Sequence, residues 1–465
     1  MVFSSITFIY YFLPIMLLAY YITPNKYKNI TLVIGSLLFY VYGAGYFVFL
    51  LLALCIFNYI LGQKISVFKN KQKRKVALVA GLVVNFGLLF YFKYTNFFID
   101  NINSIFSTNI IISKIILPLG ISFFTFQNAS YLIDIYRNKI VPSKKLIEFM
   151  TYVCTFQHLT SGPIVRYDEM KEDLNDRQHT YSLFAHGVER FIIGLSKKVL
   201  LADNLSLLIQ NLSNLSSTVL SSWIIAICFT LQLYLDFSGY SDMAIGLGEM
   251  FGFHLPENFN YPLSANTITD FWRRWHITLS KWFKDYIYIP LGGNRVSKIK
   301  NIFNILVVWV ITGLWHGAAW NFVIWGLYYA VILIIEKKFF YNFFQKHKVI
   351  GIFWINFLVV IGFVIFNQTD IQSITIFFQN MFGLNNITFT TTEVNYYLVN
   401  SIVLLLISAV ASTPILKAIA KNVNEKYKNN TIVSIIECVT IIILIIVCTS
   451  FIIDKSVNPF LYFKF

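Results

Sequence analysis

This chain of 465 residues is poor in charge: Asp, Glu, Lys and Arg make up 13% of it, about half the share in a soluble domain. Such a chain cannot surround itself with water, so most of its surface must meet lipid. Cysteine is also sparse. Cys55, Cys154, Cys228, Cys438 and Cys448 lie in apolar stretches without CxxC or paired spacing, which argues against a disulfide framework and a zinc cluster. They read as small core residues. The sequence has no GxSxG elbow, no GxxxxGKS/T phosphate loop, no HExxH and no GxGxxG, so the common routes to a hydrolase, an ATPase, a zinc protease or a dehydrogenase lose their support. No metal site is expected. No polar segment is long enough for a separate soluble domain, and residues 1–465 read as a single integral membrane domain.

What is present is apolar and basic. Hydrophobic residues reach 57%, and 37 Lys and Arg stand against 22 Asp and Glu, a balance of 37 − 22 = +15. On a soluble fold that excess would point to nucleic acid. Here it marks cytoplasmic loops and an anionic lipid surface, and no nucleic-acid partner is expected.

The first apolar stretch, Ile6 to Ile22, lacks the basic start and small-residue cleavage site of a signal peptide and reads as a retained membrane helix. Further runs lie at about 30–43, 45–62, 76–98, 112–135, 217–237, 319–336, 349–367, 397–416 and 432–453, with less regular ones near 183–203 and 302–316. Eleven or twelve crossings follow. Bases collect in alternate loops: Lys26 and Lys28; Lys64 to Lys75; Arg137 to Lys145; Lys337 to Lys348; Lys417 to Lys428. The stretches 99–113, 204–222 and 368–396 contain neither Lys nor Arg, so they face outward with the N-terminus. The region 146–183 starts apolar but is stopped at Ser161-Gly162-Pro163, which predicts a re-entrant or interfacial hairpin.

Four stretches interrupt simple hydropathy. Taken as one helix, the run from Phe271 to Lys284 places Phe271, Trp272, Trp275, Leu279, Trp282 and Phe283 within an arc of about 120°, with Arg273, Arg274, Lys281 and Lys284 outside it. That is an in-plane amphipathic helix. Its bases either anchor it at the membrane surface or, with Arg295, hold phosphates of a nucleotide-bearing donor. His276, at the stripe's edge, is either a packing residue or a second imidazole. The run from Val307 to Asn321 holds a single histidine, His316, between Gly313 and Gly317. The apolar run around it extends from just after Lys300 to just before Lys337 with His316 near its middle, and neither half comfortably crosses about 30 Å of hydrocarbon, which places His316 in a thinned or funnelled region. An ionisable group at such depth is either satisfied by a neighbouring carbonyl or functional, and the flanking glycines favour function.

In Gln232 to Asp242, the pairs Asp236 with Tyr240 and Ser238 with Asp242 stand four residues apart on different faces, either a packing network or a device for positioning substrate. Leu117 to Gln127 reads as a kinked packing helix. Among the other histidines, His158 is a weak candidate and His179, His186, His254 and His347 read as surface or packing residues.

The opening Met1-Val2-Phe3-Ser4-Ser5, the Leu117 to Gln127 stretch, Ser161 to Arg166, Asp236 to Asp242, Phe271 to His276 and Leu314-Trp315-His316-Gly317 occur in an order that resembles the membrane-bound O-acyltransferase family, in its bacterial branch associated with alginate O-acetylation. The motifs span about the first two-thirds of the chain. The resemblance implies that His316 matches the catalytic histidine and His276 the second polar active-site position. It implies a cytoplasmic acyl thioester, a tunnel through the membrane, and an acceptor reached from outside. The fold expected is all-α: a multi-pass cell-membrane protein with about 11–12 transmembrane helices, re-entrant and in-plane amphipathic helices, and a central funnel or tunnel.

The function expected is transfer of acetyl from acetyl-CoA toward an exported polysaccharide, through an extracytoplasmic protein that accepts or passes on the group, with no further cofactor. His316 would take the proton of the attacking hydroxyl. His276 or a backbone N–H near Gly317 would steady the oxyanion. Arg273, Arg274, Lys281 and Lys284 would hold coenzyme A phosphates, and Trp315, Asp236 and Tyr240 would contact or position substrate. Two alternatives share these features: a D-alanyl transferase acting toward teichoic acid, and a polysaccharide or lipid transporter.

Overall fold

The computed structural model describes residues 2–113, 115–427 and 430–454, and among these every regular element is a helix. Met1 and Lys428, both used above, lie outside the described residues. The chain divides into two compact units, Met1–Phe191 with Met243–Pro256, and Ile192–Asp242 with Glu257–Phe465.

The first unit holds α1 (Leu13–Ile22), α2 (Lys28–Ala44), α3 (Phe47–Val67), α4 (Lys71–Phe106), α5 (Ile121–Tyr136), α6 (Leu146–Cys154), α7 (Phe156–Leu159) and α8 (Tyr167–Asn175). Asn70 starts α4 by accepting the N–H groups of Gln72 at 2.8 Å and Lys73 at 3.2 Å. Ser107 ends it in a left-handed conformation, φ 51°. Only Ala77, Gly81, Asn85 and Leu89 of α4 are buried, a narrow inward stripe, while Val76, Val79, Val83 and Phe90 are bare, as contact with lipid requires. The stripe meets α3 through a reciprocal amide pair: Asn58 Nδ2 donates to Asn85 Oδ1 at 3.1 Å, and Asn85 Nδ2 to Asn58 Oδ1 at 2.7 Å. The second donor of each amide goes to its own helix, at Leu54 O and Gly81 O, so no donor of the pair is wasted in an apolar surrounding. Fourteen of the sixteen residues of α5 are buried, which makes it the axis of this unit.

The 146–183 region forms no span. Thr155, with ψ 121°, separates α6 from the single turn of α7, and Ser161-Gly162-Pro163 stops the chain before α8. A Cβ on Gly162 would stand 2.6 Å from the His158 Cα, so only glycine permits this return.

Seven helices among the described residues are long and apolar enough to cross a membrane: α3, α4, α11 (Val219–Met250), α14 (Lys298–His316), α17 (Lys348–Asn367), α19 (Thr392–Ala411) and α21 (Thr431–Asp454). The protein is therefore an all-α, multi-pass membrane protein. The remaining expected crossings form shorter helices, because hydropathy does not register the backbone stops between them. The run at 112–135 becomes helical only from Ile121, after Pro118 and a left-handed Gly120. The run at 319–336 is a helix of 16 residues, α15 (Trp320–Ile335). Conversely, the stretch without Lys or Arg at 99–113 is helical as far as Phe106. The run expected to be too short at 302–316 reaches 19 residues, because Ser297 caps it and the helix begins at Lys298.

The second unit also contains α10 (Asp203–Ser213), α12 (Ile268–Arg274), α13 (Ile277–Phe283), α16 (Tyr341–Lys346), α18 (Ile371–Met381) and α20 (Ile415–Lys426). The division between units falls inside α9 (Tyr181–Ser196) and α11. The core of the second unit is aromatic, built on Phe271, Trp272, Trp275, Trp325, Tyr329, Phe363 and Phe366. Its central hairpin pairs α14 with α15. Gly313 lies against the carbonyl of Phe322, and Gly326 against that of Trp309, so each helix offers a bare backbone where the other comes closest.

Candidate active site

The stretch from Phe271 to Lys284 is not one helix. α12 ends at Arg274, Trp275 is extended, and His276 adopts a left-handed conformation, φ 42° and ψ 55°, before α13 begins. The cause lies outside the stretch. Asn260 N donates to Arg274 O and Ile277 N donates to Asn258 O, both at 2.9 Å, so the segment 258–260 pairs with the chain on either side of His276. Those are groups a continuous helix would have bonded internally. The division into faces survives the break: Phe271, Trp272, Trp275, His276, Leu279, Trp282 and Phe283 are buried, while Arg273, Lys281 and Lys284 are exposed. A non-glycine residue held at positive φ costs about 1–3 kcal/mol and persists where its surroundings over-determine it.

α12 is fixed at its start by two groups. Thr267 Oγ1 accepts from Asp270 N at 3.1 Å. The buried carboxylate of Glu336 accepts from Ile268 N at 2.5 Å and from Thr269 N at 3.1 Å.

His316 is the last residue of α14 and is buried. Its ring packs edge-on against Trp315, Trp325 and Phe366, with centroids 5.1, 4.9 and 5.4 Å away. Gly313 and Gly317, read above as favouring a functional His316, serve the hairpin: a Cβ on Gly317 would enter the Phe322 ring. The Gly317 N–H donates to Gly313 O at 3.3 Å.

His276 and His316 line one cavity of about 210 Å³ within the second unit. Ile305, Val308, Trp309, Thr312 and His316 share one face of α14 and form one wall of it. From Ile305 to His316 that wall rises about 16 Å. Lys284 and Lys337 also line the cavity. Both belong at the end opposite His316: Tyr288, four residues after Lys284, accepts from Asn301 Nδ2 near the start of α14, and Lys337 follows the end of antiparallel α15. The cavity is thus mostly apolar, with cations at one end and two imidazoles at the other.

Partial burial, together with the neighbouring Arg273 guanidinium, holds the Lys337 ammonium below its usual pKa, with Glu336 opposing them. Burial alone pushes the His276 pKa down to about 3.

Arg273 and Arg274 line a different cavity, of about 330 Å³, with Lys348, and Arg274 Nε pairs with Asp270 at 3.0 Å. Lys281 lines neither cavity. Trp315 is buried, its ring centroid 5.8 Å from that of His276 and 5.1 Å from that of His316. Asp236 and Tyr240 line neither cavity. Asp236 pairs with buried Lys198 at 3.0 Å, and Lys198 pairs with Asp203 at 2.7 Å. The α11 residue that meets His276 is Phe237, at 4.8 Å.

Sequence reading missed Asn258, which bonds His276, and missed Lys337 as a cavity residue. Asn258 has no local signature. Lys337 becomes visible only when α14 and α15 are folded into a hairpin. In the first unit His158 is buried, its Nε2 lies 2.8 Å from Tyr152 O, and burial pushes its pKa down to about 4. His186 pairs with Glu249, His254 with Asp173, and His347 packs on Phe343.

The sequence model of the membrane-bound O-acyltransferase family matches residues 137–378, a stretch that contains both cavities and both imidazoles. The probable alginate O-acetylase of Pseudomonas aeruginosa is 40% identical over 404 residues, covering 85% of this chain and 77% of that protein. The peptidoglycan O-acetyltransferase of Helicobacter pylori is 35% identical over 426 residues, covering 83% and 81%. The teichoic acid D-alanyltransferase of Bacillus subtilis is 32% identical over 246 residues, covering 49% and 60%.

Proposed function

Because the chain belongs to the membrane-bound O-acyltransferase family, we propose that it transfers an acetyl group from cytoplasmic acetyl-CoA toward an exported polysaccharide, by way of an extracytoplasmic protein that carries the group onward. The choice of acetyl rests on the two relatives named for O-acetylation, which align with most of the chain, whereas the D-alanyl relative aligns with about half.

The observation that carries the reading is that one cavity is lined by Lys284 and Lys337 and by His276 and His316. Coenzyme A has phosphates at one end and a thioester at the tip of a long, flexible arm. Its phosphates suit the lysine end and, next to it, Arg273; its arm suits walls of Trp, Leu, Ile and Val; its thioester then lies at the histidines. The lysine end also lies on the side where Lys298 and Lys300 start α14, the side that charge distribution assigns to the cytoplasm.

In this reaction the acceptor hydroxyl attacks the thioester carbonyl carbon while His316 takes its proton. A C–O bond forms, the C–S bond breaks, and the departing thiolate receives the proton from the His316 imidazolium. The oxyanion needs a donor. The indole N–H of Trp272, in the cavity wall and without a hydrogen-bond partner, is available to it. The aromatic walls keep water from the thioester.

The test is incubation of labelled acetyl-CoA with membranes containing the protein and candidate acceptors. Label should pass to the acceptor, and folded His316→Ala should lose at least about a hundredfold in rate. Unchanged transfer by that variant would refute the role of His316. Use of a carrier-protein D-alanyl thioester instead of acetyl-CoA would favour the D-alanyl reading, and glycan movement without acyl loss the transporter.

A further inference from the structure

His276 has one ring nitrogen committed and the other bare. Its Nδ1 lies 3.1 Å from Asn258 Oδ1. The orientation of that amide is fixed independently, because Oδ1 also accepts from the Thr278 backbone N–H at 3.4 Å and from the Thr278 hydroxyl at 2.9 Å. A backbone N–H can only donate. At the other end Asn258 Nδ2 donates to Ser241 Oγ at 3.1 Å. Turning the amide over would set Nδ2 against the Thr278 N–H, donor against donor. Nδ1 of His276 therefore carries the proton, and Nε2 of the neutral ring is a lone pair.

That Nε2 is buried and has no hydrogen-bond partner. An unsatisfied acceptor in such a place is costly, and the left-handed backbone that carries it adds to the cost. Nothing in the aromatic packing removes the cost, since the ring is held by Phe237, Phe259 and Trp315. It does line the cavity.

On the acyl-transfer reading above, we propose that Asn258 is a positioning residue that locks His276 in the Nδ1–H tautomer, so that Nε2 accepts a hydrogen bond from an N–H or O–H group of a substrate in the cavity. The acetyl thioester itself has no such group. The two sources are an amide N–H of the donor's arm and the hydroxyl of the acceptor. In this tautomer Nε2 has no proton to offer an oxyanion. The titratable groups that share the cavity are His316, Lys284 and Lys337, and it is burial, not a charge among them, that keeps the His276 ring neutral.

Two variants of the full-length protein test this through the pH profile of acetyl transfer. In Asn258→Asp a carboxylate beside Nδ1–H favours the imidazolium, which places a proton on Nε2. Activity should fall at neutral and acid pH and recover as pH rises, moving the ascending limb to higher pH than in the wild type. In Asn258→Leu the tautomer is released, and kcat/KM should drop about tenfold to a hundredfold without that displacement of the limb. A rise in KM for acetyl-CoA alone assigns the bond to the donor's arm, and a rise for the acceptor alone to its hydroxyl. Unchanged rates, or a loss equal at every pH in both variants, overturn the proposal.

Nitrogen chemical shifts of histidine-labelled wild-type protein, with the His276 signal identified from His276→Gln, read the tautomer even if the Asn258 variants do not fold. A proton found on Nε2 overturns the proposal. A wild type that transfers no acetyl group overturns the function instead, and the shifts still report the tautomer.

Discussion

Glu336 Oε2 lies 2.5 Å from the backbone nitrogen of Ile268, so the residue that follows α15 closes the first turn of α12. The other oxygen takes the Thr269 N–H at 3.1 Å and its hydroxyl at 2.9 Å. A buried carboxylate is stable here because it meets helix N–H groups that have no partner within the helix, at the positive end of the helix dipole. The same contact fixes α12, with Arg273, relative to Lys337, the residue after Glu336. It joins the cations of the two cavities.

Glu336→Ala should therefore lower stability by about 3 kcal/mol or more, since hydrogen bonds to a charged group contribute about 1.5–3 kcal/mol each and three are lost. Glu336→Gln keeps one amide oxygen and should recover part of it. Thermal unfolding in detergent reads both. Equal melting temperatures for Glu336→Ala and wild type would show that α12 does not depend on this carboxylate.

The bases near the site should separate by position, not by charge. Lys284→Ala and Lys337→Ala should each raise the KM for acetyl-CoA about tenfold, with a smaller effect at high salt. Lys281→Ala should leave it unchanged, because Lys281 is exposed and outside both cavities. Equal effects at positions 281 and 284 would remove the argument for a phosphate end at Lys284.

Much of this was legible before folding. The lone imidazole of His316 in an apolar run, the aromatic stripe of Phe271 to Phe283 and the helical class all follow from local spacing and hydropathy. What was hidden is non-local. The break at His276 is imposed by Asn258 and Asn260, residues that carry no helix or motif signal of their own. Lys337 reaches the cavity only because α15 returns alongside α14. On one continuous helix Arg273 and Lys284 read as a single basic face, yet Arg273 lines a second cavity. Helices such as α5 and α15 are shorter than their hydropathy runs because a hydropathy window passes over Pro118, Gly120 and Gly317.

The hairpin that carries His316 should be intolerant at Gly313. A side chain there meets the backbone carbonyl of Phe322, which cannot rotate away as a side-chain end could. Gly313→Val should part α14 from α15, cost about 1–3 kcal/mol, and displace His316 one turn onward. The rate constant kcat should fall more than affinity for acetyl-CoA, whose lysine contacts lie at the far end of the hairpin. Gly313→Ala should show the same pattern more weakly, and wild-type kcat in both variants would mean that the hairpin does not position the imidazole.

Two buried histidines give the fold a defined response to acid. Burial pushes the His276 pKa to about 3 and that of His158 to about 4, whereas in an unfolded chain both titrate near pH 6.5. Above that pH neither state binds the proton and neither ring affects stability. As pH falls through 6.5 the unfolded chain takes up protons that the folded one refuses, so the unfolded state is favoured increasingly down to the folded pKa values. Between about pH 6 and pH 4 each ring should remove about 1.4 kcal/mol of stability per pH unit at most. Unfolding in detergent across this range should show stability declining with acid, and His158→Gln, which keeps a donor for Tyr152 O, should reduce the slope by the share of one ring. A slope that the substitution leaves untouched would mean that His158 already takes up its proton in the folded protein.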